Sequence, residues 1–130
     1  MIVVAKVGTS SLTDETGEVV AEPILKLCAE IAATRAAGHE VVLVSSRAIA
    51  AGLPALGLHE RPTDIGTLQA IAAIGQPRLM ERFCAILATH GLVAGQVLLT
   101  PYDFIHRTQY LHARQTLRRL LDLRALPIVN

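Results

Sequence analysis

With 130 residues and a formal charge of +1, the chain can bury one core but carries no electrostatic case for nucleic acid or an anionic membrane. Apolar residues make up 52% and aromatics only 3%, so the core must be aliphatic. That bias suits a sheet covered on both faces by helices, or a chain that buries further surface against something larger. No apolar run reaches transmembrane length and the amino terminus has no signal-peptide layout, which predicts a cytoplasmic protein.

Ile2–Val7 is a short apolar run that empties into Gly8-Thr9-Ser10-Ser11, the pattern of a buried strand followed by a polar turn. Asp14, Glu15 and Glu18 fall in a hairpin-like loop as solvated charge. Pro23 suits the first turn of a helix carrying Ile24, Cys28, Ile31 and Ala32, which Gly38 stops. Glu40–Val44 is a second strand, parallel to the first because a helix lies between them. A short helix over Arg47–Leu53 and a loop over Pro54–Pro62 follow. Asp64 caps a long helix bearing Ile65, Leu68, Ala72, Leu79, Phe83 and Leu87, which Pro77 should kink or split and Gly91 should end. Leu92–Thr100 reads as the third strand, Pro101–Thr108 as a loop, Gln109–Asp122 as a helix and Leu126–Asn130 as the fourth strand.

The alternation defines an α/β fold: a mostly parallel sheet sandwiched between helices. Ligands of such sheets sit beyond the carboxyl ends of the strands. Gly8–Ser11, Ser45-Ser46, Thr100–Asp103 and Asn130 each follow a strand, so the polar clusters should converge.

Gly8–Ser11, entered from Lys6, has the makings of a phosphate cradle, with close backbone approach, N–H and hydroxyl donors and a lysine point charge. The Walker pattern and the Gly-x-Gly-x-x-Gly turn are both absent, which argues against P-loop chemistry and an ordinary dinucleotide-binding domain. Ser46 reads as an N-cap, an anion contact at a helix start, or both. Asp103 is the one carboxylate that strand-end logic brings near the site. His106 and His112 lack metal-ligand spacing, and no metal site is expected on this chain. Cys28 and Cys84 read as reduced core thiols, and the arginines from Arg107 to Arg124 as a solvated helix face.

Several segments in unbroken order resemble the glutamate 5-kinases of the amino acid kinase superfamily. They are Val4-Ala5-Lys6-Val7-Gly8-Thr9-Ser10-Ser11-Leu12, Gly38 through Ser46, Ala48-Ile49-Ala50-Ala51-Gly52, Ala73-Ile74-Gly75-Gln76-Pro77-Arg78-Leu79, Gly95 through Thr100, Tyr110 through Leu117 and Pro127-Ile128-Val129-Asn130. The resemblance implies ATP- and Mg2+-dependent phosphorylation of the L-glutamate side-chain carboxylate, the first step of proline biosynthesis, with proline as a feedback inhibitor. By the same resemblance Lys6 contacts ATP phosphates and is catalytic, Gly8, Thr9 and Ser10 hold the phosphoryl region, and Ser46, Arg47 and Ala48 form the glutamate-binding turn.

Two departures from the family are legible. Arg47 stands where the family has a glycine that lets the helix start approach the substrate. The chain also stops at Asn130, where the family continues with an acidic glutamate-binding segment and then its nucleotide-binding half. Residues 1–130 therefore read as an amino-terminal, substrate-side part of an incomplete amino acid kinase-like fold, inactive alone. An edge strand and a wide apolar face would then be uncovered, favouring self-association or a complementary chain. The alternative is a non-catalytic module that binds glutamate, proline or phosphate, or regulates an intact kinase.

Overall fold

The computed structural model describes residues 1–15, 18–46 and 48–130, with the Thr9 side chain also outside the description. Four strands, β1 (Ile2–Val7), β2 (Glu40–Ser45), β3 (Ala94–Val97) and β4 (Leu126–Val129), form one sheet in the order β1-β2-β4-β3. Every pairing is parallel. β2 is buried nearly throughout, as expected of a central strand with both faces covered.

Alternation along the strands sorts side chains to two faces. Val41, Leu43, Leu126 and Ile128 meet α1 (Ala21–Ala36) through Ile24, Cys28 and Ile31, and α3 (Ile65–Thr89) through Leu79, Met80, Phe83 and Leu87. Val42, Val44 and Val129 face the other way, toward Ala113, Leu117 and Leu121 of α5 (Arg107–Asp122). On this second face β1 is bare: Ile2 is 39% and Val4 64% exposed, and both line an apolar groove of about 500 Å3. The final strand is not an edge, contrary to the sequence expectation. β4 pairs with β2 on one side and β3 on the other, so the edges are β1 and β3.

Most helix boundaries follow local rules. Gly38 (φ 91°) and Gly91 (φ 72°) take the left-handed conformation just after α1 and α3, where a Cβ would be strained. The Asp64 carboxylate accepts from the Thr67 N–H at 2.9 Å, the expected N-cap of α3. Pro77 does not split α3, which runs unbroken through it. Buried Ile71, Gly75, Leu79 and Phe83 on both sides of the proline hold the two halves on one packing surface. The hairpin-like loop closes with a bridge between Thr13 and Val19, and the Asp14 carboxylate accepts from the Glu18 N–H at 3.0 Å.

The short helix after β2 differs from expectation. α2 spans only Ile49–Gly52, its N-cap position is Ala48 rather than Ser46, and the Ala48 side chain has no group to cap it. Pro101–Ile105, read as loop, forms the helix α4. The Asp103 carboxylate accepts from the Thr100 N–H at 2.7 Å and its hydroxyl at 2.9 Å. These bonds hold the Asp103 carboxyl below the usual carboxylate range, as the bond from Thr67 does for Asp64.

A depressed folded pKa means that the unfolded chain takes up the proton first, so both caps stabilise fully above the ordinary carboxylate range and lose their effect as pH falls through the lower folded values. Thermal unfolding between neutral pH and about pH 2 should show Tm falling from about pH 4 downward. Asp64→Asn and Asp103→Asn should each flatten that fall, and an unchanged slope in both would refute the cap assignment.

The two cysteines also separate. Cys28 is fully buried and burial pushes its thiol up to about 11, whereas Cys84 is exposed, contrary to the expectation of two core thiols. A disulfide reagent at mildly alkaline pH should modify Cys84 quickly and Cys28 only on unfolding, because the thiolate is the reacting species. Equal rates for both thiols would contradict this packing.

Candidate functional site

Register brings the strand ends to within one residue of each other. Val7 pairs with Ser45, and Val44 with Val129, so Asn130 follows β4 at the level of Ser45, and Gly8 and Ser46 emerge side by side one residue further on. The ladder continues past the strands: the Ser46 N–H donates to Val7 O at 3.2 Å, and the Leu99 N–H donates to Asn130 O at 3.0 Å. With neighbouring strands about 4.8 Å apart, Gly8 and Asn130 are separated by roughly 10 Å, the scale of a small amino acid.

Gly8 opens a 3-10 turn at Thr9–Ser11, closed by the Ser11 N–H donating to Gly8 O at 3.1 Å. Neither backbone angle nor crowding demands glycine here. Its φ lies outside the left-handed region, and an added Cβ would meet only Ser10 Oγ at 3.7 Å. The open space fits close approach of something other than the chain itself, as a phosphate cradle requires.

Lys6 is exposed and has no salt-bridge partner among the described residues. Strand alternation puts it on the α5 face with Val4, whereas Ser45 and Asn130 share the α3 face. Its four-carbon stem would have to reach over the sheet end to meet a group held between Gly8 and Ser46. Ser45 is 4% exposed and its hydroxyl donates to Ser46 O at 3.4 Å.

The turn after β2 is placed by two glycines. An added Cβ on Gly75 of α3 would lie 1.9 Å from Ala48 O and 2.6 Å from Gly52 N. One on Gly52 would lie 2.2 Å from Ile71 O. α2 therefore rests backbone against backbone on α3, and Ala48 is buried at their junction. Any contact of Ala48 with substrate would have to use its backbone. The Arg47 expectation lies outside the described residues.

Sequence reasoning assigned no chemistry to Gln76. This residue follows Gly75 on α3, and its Oε1 accepts from Asn130 Nδ2 at 2.7 Å. Gln76 Nε2 is buried without a partner among the described residues. An unsatisfied buried donor costs about 1–3 kcal/mol, so a glutamine kept here needs a reason beyond packing. The signal was available: Gln76 is four residues after Ala72 and three before Leu79, a polar interruption of the apolar stripe.

Asp103 does not join the strand-end group. Its carboxylate is committed to Thr100 at the start of α4, and it lines the apolar groove on the α5 face. A larger cleft of about 590 Å3, lined by Glu18, Pro54, Arg78, Glu81 and Arg82 among others, contains none of the strand-end residues. Among the described residues, no group of three or more His, Cys, Asp or Glu side chains is placed to hold a metal ion. Among the described residues no helix is long and apolar enough to cross a membrane.

A parallel sheet between helix layers, with its polar residues at the carboxyl ends, defines an α/β ligand-binding fold. Its architecture is similar to that of isopentenyl phosphate kinase from T. acidophilum, with a TM-score of 0.64 at 15% identity, covering 99% of this chain and 54% of that one. At that identity the likeness concerns the fold alone. The amino acid kinase family matches residues 1–130, and the chain belongs to that family. It is 52% identical over 128 residues to the glutamate 5-kinase of Salinispora arenicola, covering 98% of this chain and 35% of the relative. The glutamate 5-kinases of Thermobifida fusca and Thermus thermophilus are each 50% identical, with 33% and 34% of their lengths covered. The chain thus spans about a third of the length of the curated relatives it matches.

Proposed function

We propose that residues 1–130 are the amino-terminal, substrate-side part of a glutamate 5-kinase, which transfers the γ-phosphoryl group of ATP to the side-chain carboxylate of L-glutamate in cytoplasmic proline biosynthesis. The observation that carries this reading is that Gly8, Ser46 and Asn130 gather within one residue of a common level at one end of the sheet. The similarity to curated glutamate 5-kinases supports the choice of acceptor.

Phosphoryl transfer needs positioning and charge neutralisation more than covalent chemistry. Lys6 supplies the positive charge that offsets the transferring group, and the turn of Gly8, Thr9 and Ser10 supplies backbone and hydroxyl donors around it. The turn of Ser46, Arg47 and Ala48 holds the glutamate. The space beside Gly8 fits the approach of a nucleotide phosphate. Most nucleotide contacts in this reading lie beyond residues 1–130, and Mg2+ accompanying the phosphates would supply further charge neutralisation beside Lys6. In this reading the chain alone binds glutamate but does not turn over, and proline competes for the same turn.

Calorimetry of the chain with L-glutamate, proline and magnesium-ATP tests the reading. Weak glutamate binding, displaced by proline, is expected without measurable nucleotide binding. Tight magnesium-ATP binding would show that the nucleotide half is dispensable, and absence of any glutamate binding would remove the assigned acceptor. Arg47→Gly, which restores the family residue, should tighten glutamate binding by about ten-fold, equivalent to ~1.4 kcal/mol. An unchanged affinity would end the argument that the arginine obstructs the turn.

A further inference from the structure

A primary amide has a donor edge and an acceptor edge of nearly the same shape, so only its hydrogen bonds decide which edge a ligand meets. At Asn130 that choice is made by α3. Gln76 Oε1 takes a hydrogen from Asn130 Nδ2 at 2.7 Å, which turns the donor edge toward the helix and leaves Oδ1 directed away from it. Asn130 is held from the backbone as well, its N–H donating to Val97 O at 3.0 Å and its carbonyl accepting from Leu99. Backbone and amide are thus both oriented at the end of β4, beside Ser45 and Ser46.

Gln76 is a poor choice for packing alone. Its Nε2 is buried with no acceptor among the described residues, a defect that a methionine of similar size would not have. The glutamine oxygen is nevertheless retained against Asn130. Its place is also fixed tightly, because the preceding Gly75 lies against Ala48 O with no room for a Cβ.

Resting on the glutamate reading, we propose that Gln76 is a positioning residue that presents Asn130 Oδ1 as an acceptor for the α-ammonium group of the amino acid substrate. The pair then selects an α-amino acid over a dicarboxylate of equal length lacking the nitrogen. Gln76 acts through Asn130 and does not touch the substrate itself.

The test compares L-glutamate with glutarate, which has the same two carboxylates and no ammonium group. The chain is expected to bind L-glutamate more tightly than glutarate. Gln76→Met should reduce L-glutamate affinity roughly ten-fold, leave glutarate affinity unchanged and leave Tm nearly unchanged. Equal losses for both ligands, or a fall in Tm without a change in their ratio, would mark Gln76 as merely structural and overturn the proposal.

The Asn130 side-chain amide resonances in a nitrogen-15 NMR spectrum give a reading independent of ligand. They should move in Gln76→Met and stay near their original positions in Gln76→Glu, which keeps an acceptor oxygen; Gln76→Leu, which also lacks the acceptor, replaces the methionine variant if that fails to fold. Resonances that move equally in both variants, or in neither, overturn the positioning role. If the unmodified chain binds neither ligand, the glutamate reading and the ammonium assignment fail together, while the amide spectrum still decides whether Gln76 orients Asn130.

Discussion

Gly75→Ala is expected to lower the unfolding free energy by about 1–3 kcal/mol or more, although it adds a single methyl group to a helix. The new Cβ would start 1.9 Å from Ala48 O and 2.6 Å from Gly52 N, and both of those are backbone atoms that cannot rotate aside. α2 and α3 must separate, which moves the turn before α2 and the Gln76 side chain that holds Asn130. Urea unfolding should therefore show a lower midpoint together with weakened L-glutamate binding. Gly66→Ala in the same helix supplies the contrast. Its Cβ would meet only the tip of the Asp64 carboxylate at 3.8 Å, so it should be neutral or stabilise by about 0.4–1 kcal/mol. Equal midpoints for the two variants would mean that α2 does not rest on α3 backbone to backbone.

Phe83→Ala should have the largest effect of any single truncation considered, about 3–5 kcal/mol. The ring is 0% exposed within the cluster of Ile24, Cys28, Leu43, Leu79 and Leu87, so its removal leaves a cavity that surrounding backbone cannot fill. For a domain stable by about 5–15 kcal/mol this leaves little margin, and a lowered Tm with partial unfolding at room temperature is expected. The chain's other phenylalanine, Phe104, is 64% exposed, and Phe104→Ala should change stability by no more than about 0.5 kcal/mol. Comparable losses for the two would refute the assignment of the core to the α1/α3 face.

Local rules made much of the fold legible. β1 lies where its apolar run is, Gly38 and Gly91 terminate helices, and Asp64 caps α3, because each depends on residues within a few positions. The third strand begins later than its apolar run because the Leu92 N–H closes the end of α3 by donating to Leu87 O, whereas beyond Val97 the ladder carries on only through the Leu99 N–H bond to Asn130 O. α4 is too short to show a period, yet the Thr100 and Asp103 spacing three residues apart was a capping signal in plain view. The cap position of α2 was misplaced because a four-residue helix is held by its seat on α3 rather than by its own start.

The candidate site divides in the same way. Gly8, Ser46 and Asn130 are each legible as residues following an apolar run, and the family resemblance supplies roles for Gly8 and Ser46 but none for Asn130. Their convergence to within one residue of each other depends on register, a property of strand pairs far apart in sequence. Asp103 followed the same strand-end logic and proved to be a helix cap, because its nearest donors are on Thr100.

By itself the sequence determined the α/β class, the strand-helix alternation, the aliphatic core and the polar ends of the strands, all of which follow from the spacing of neighbours along the chain. Only the tertiary structure decided that β4 lies between β2 and β3, that Ile65 of the α3 stripe is exposed while Phe83 is core, and that Gln76 reaches Asn130. Those outcomes rest on contacts across long stretches of chain, where the face a residue presents depends on which strand or helix packs opposite it.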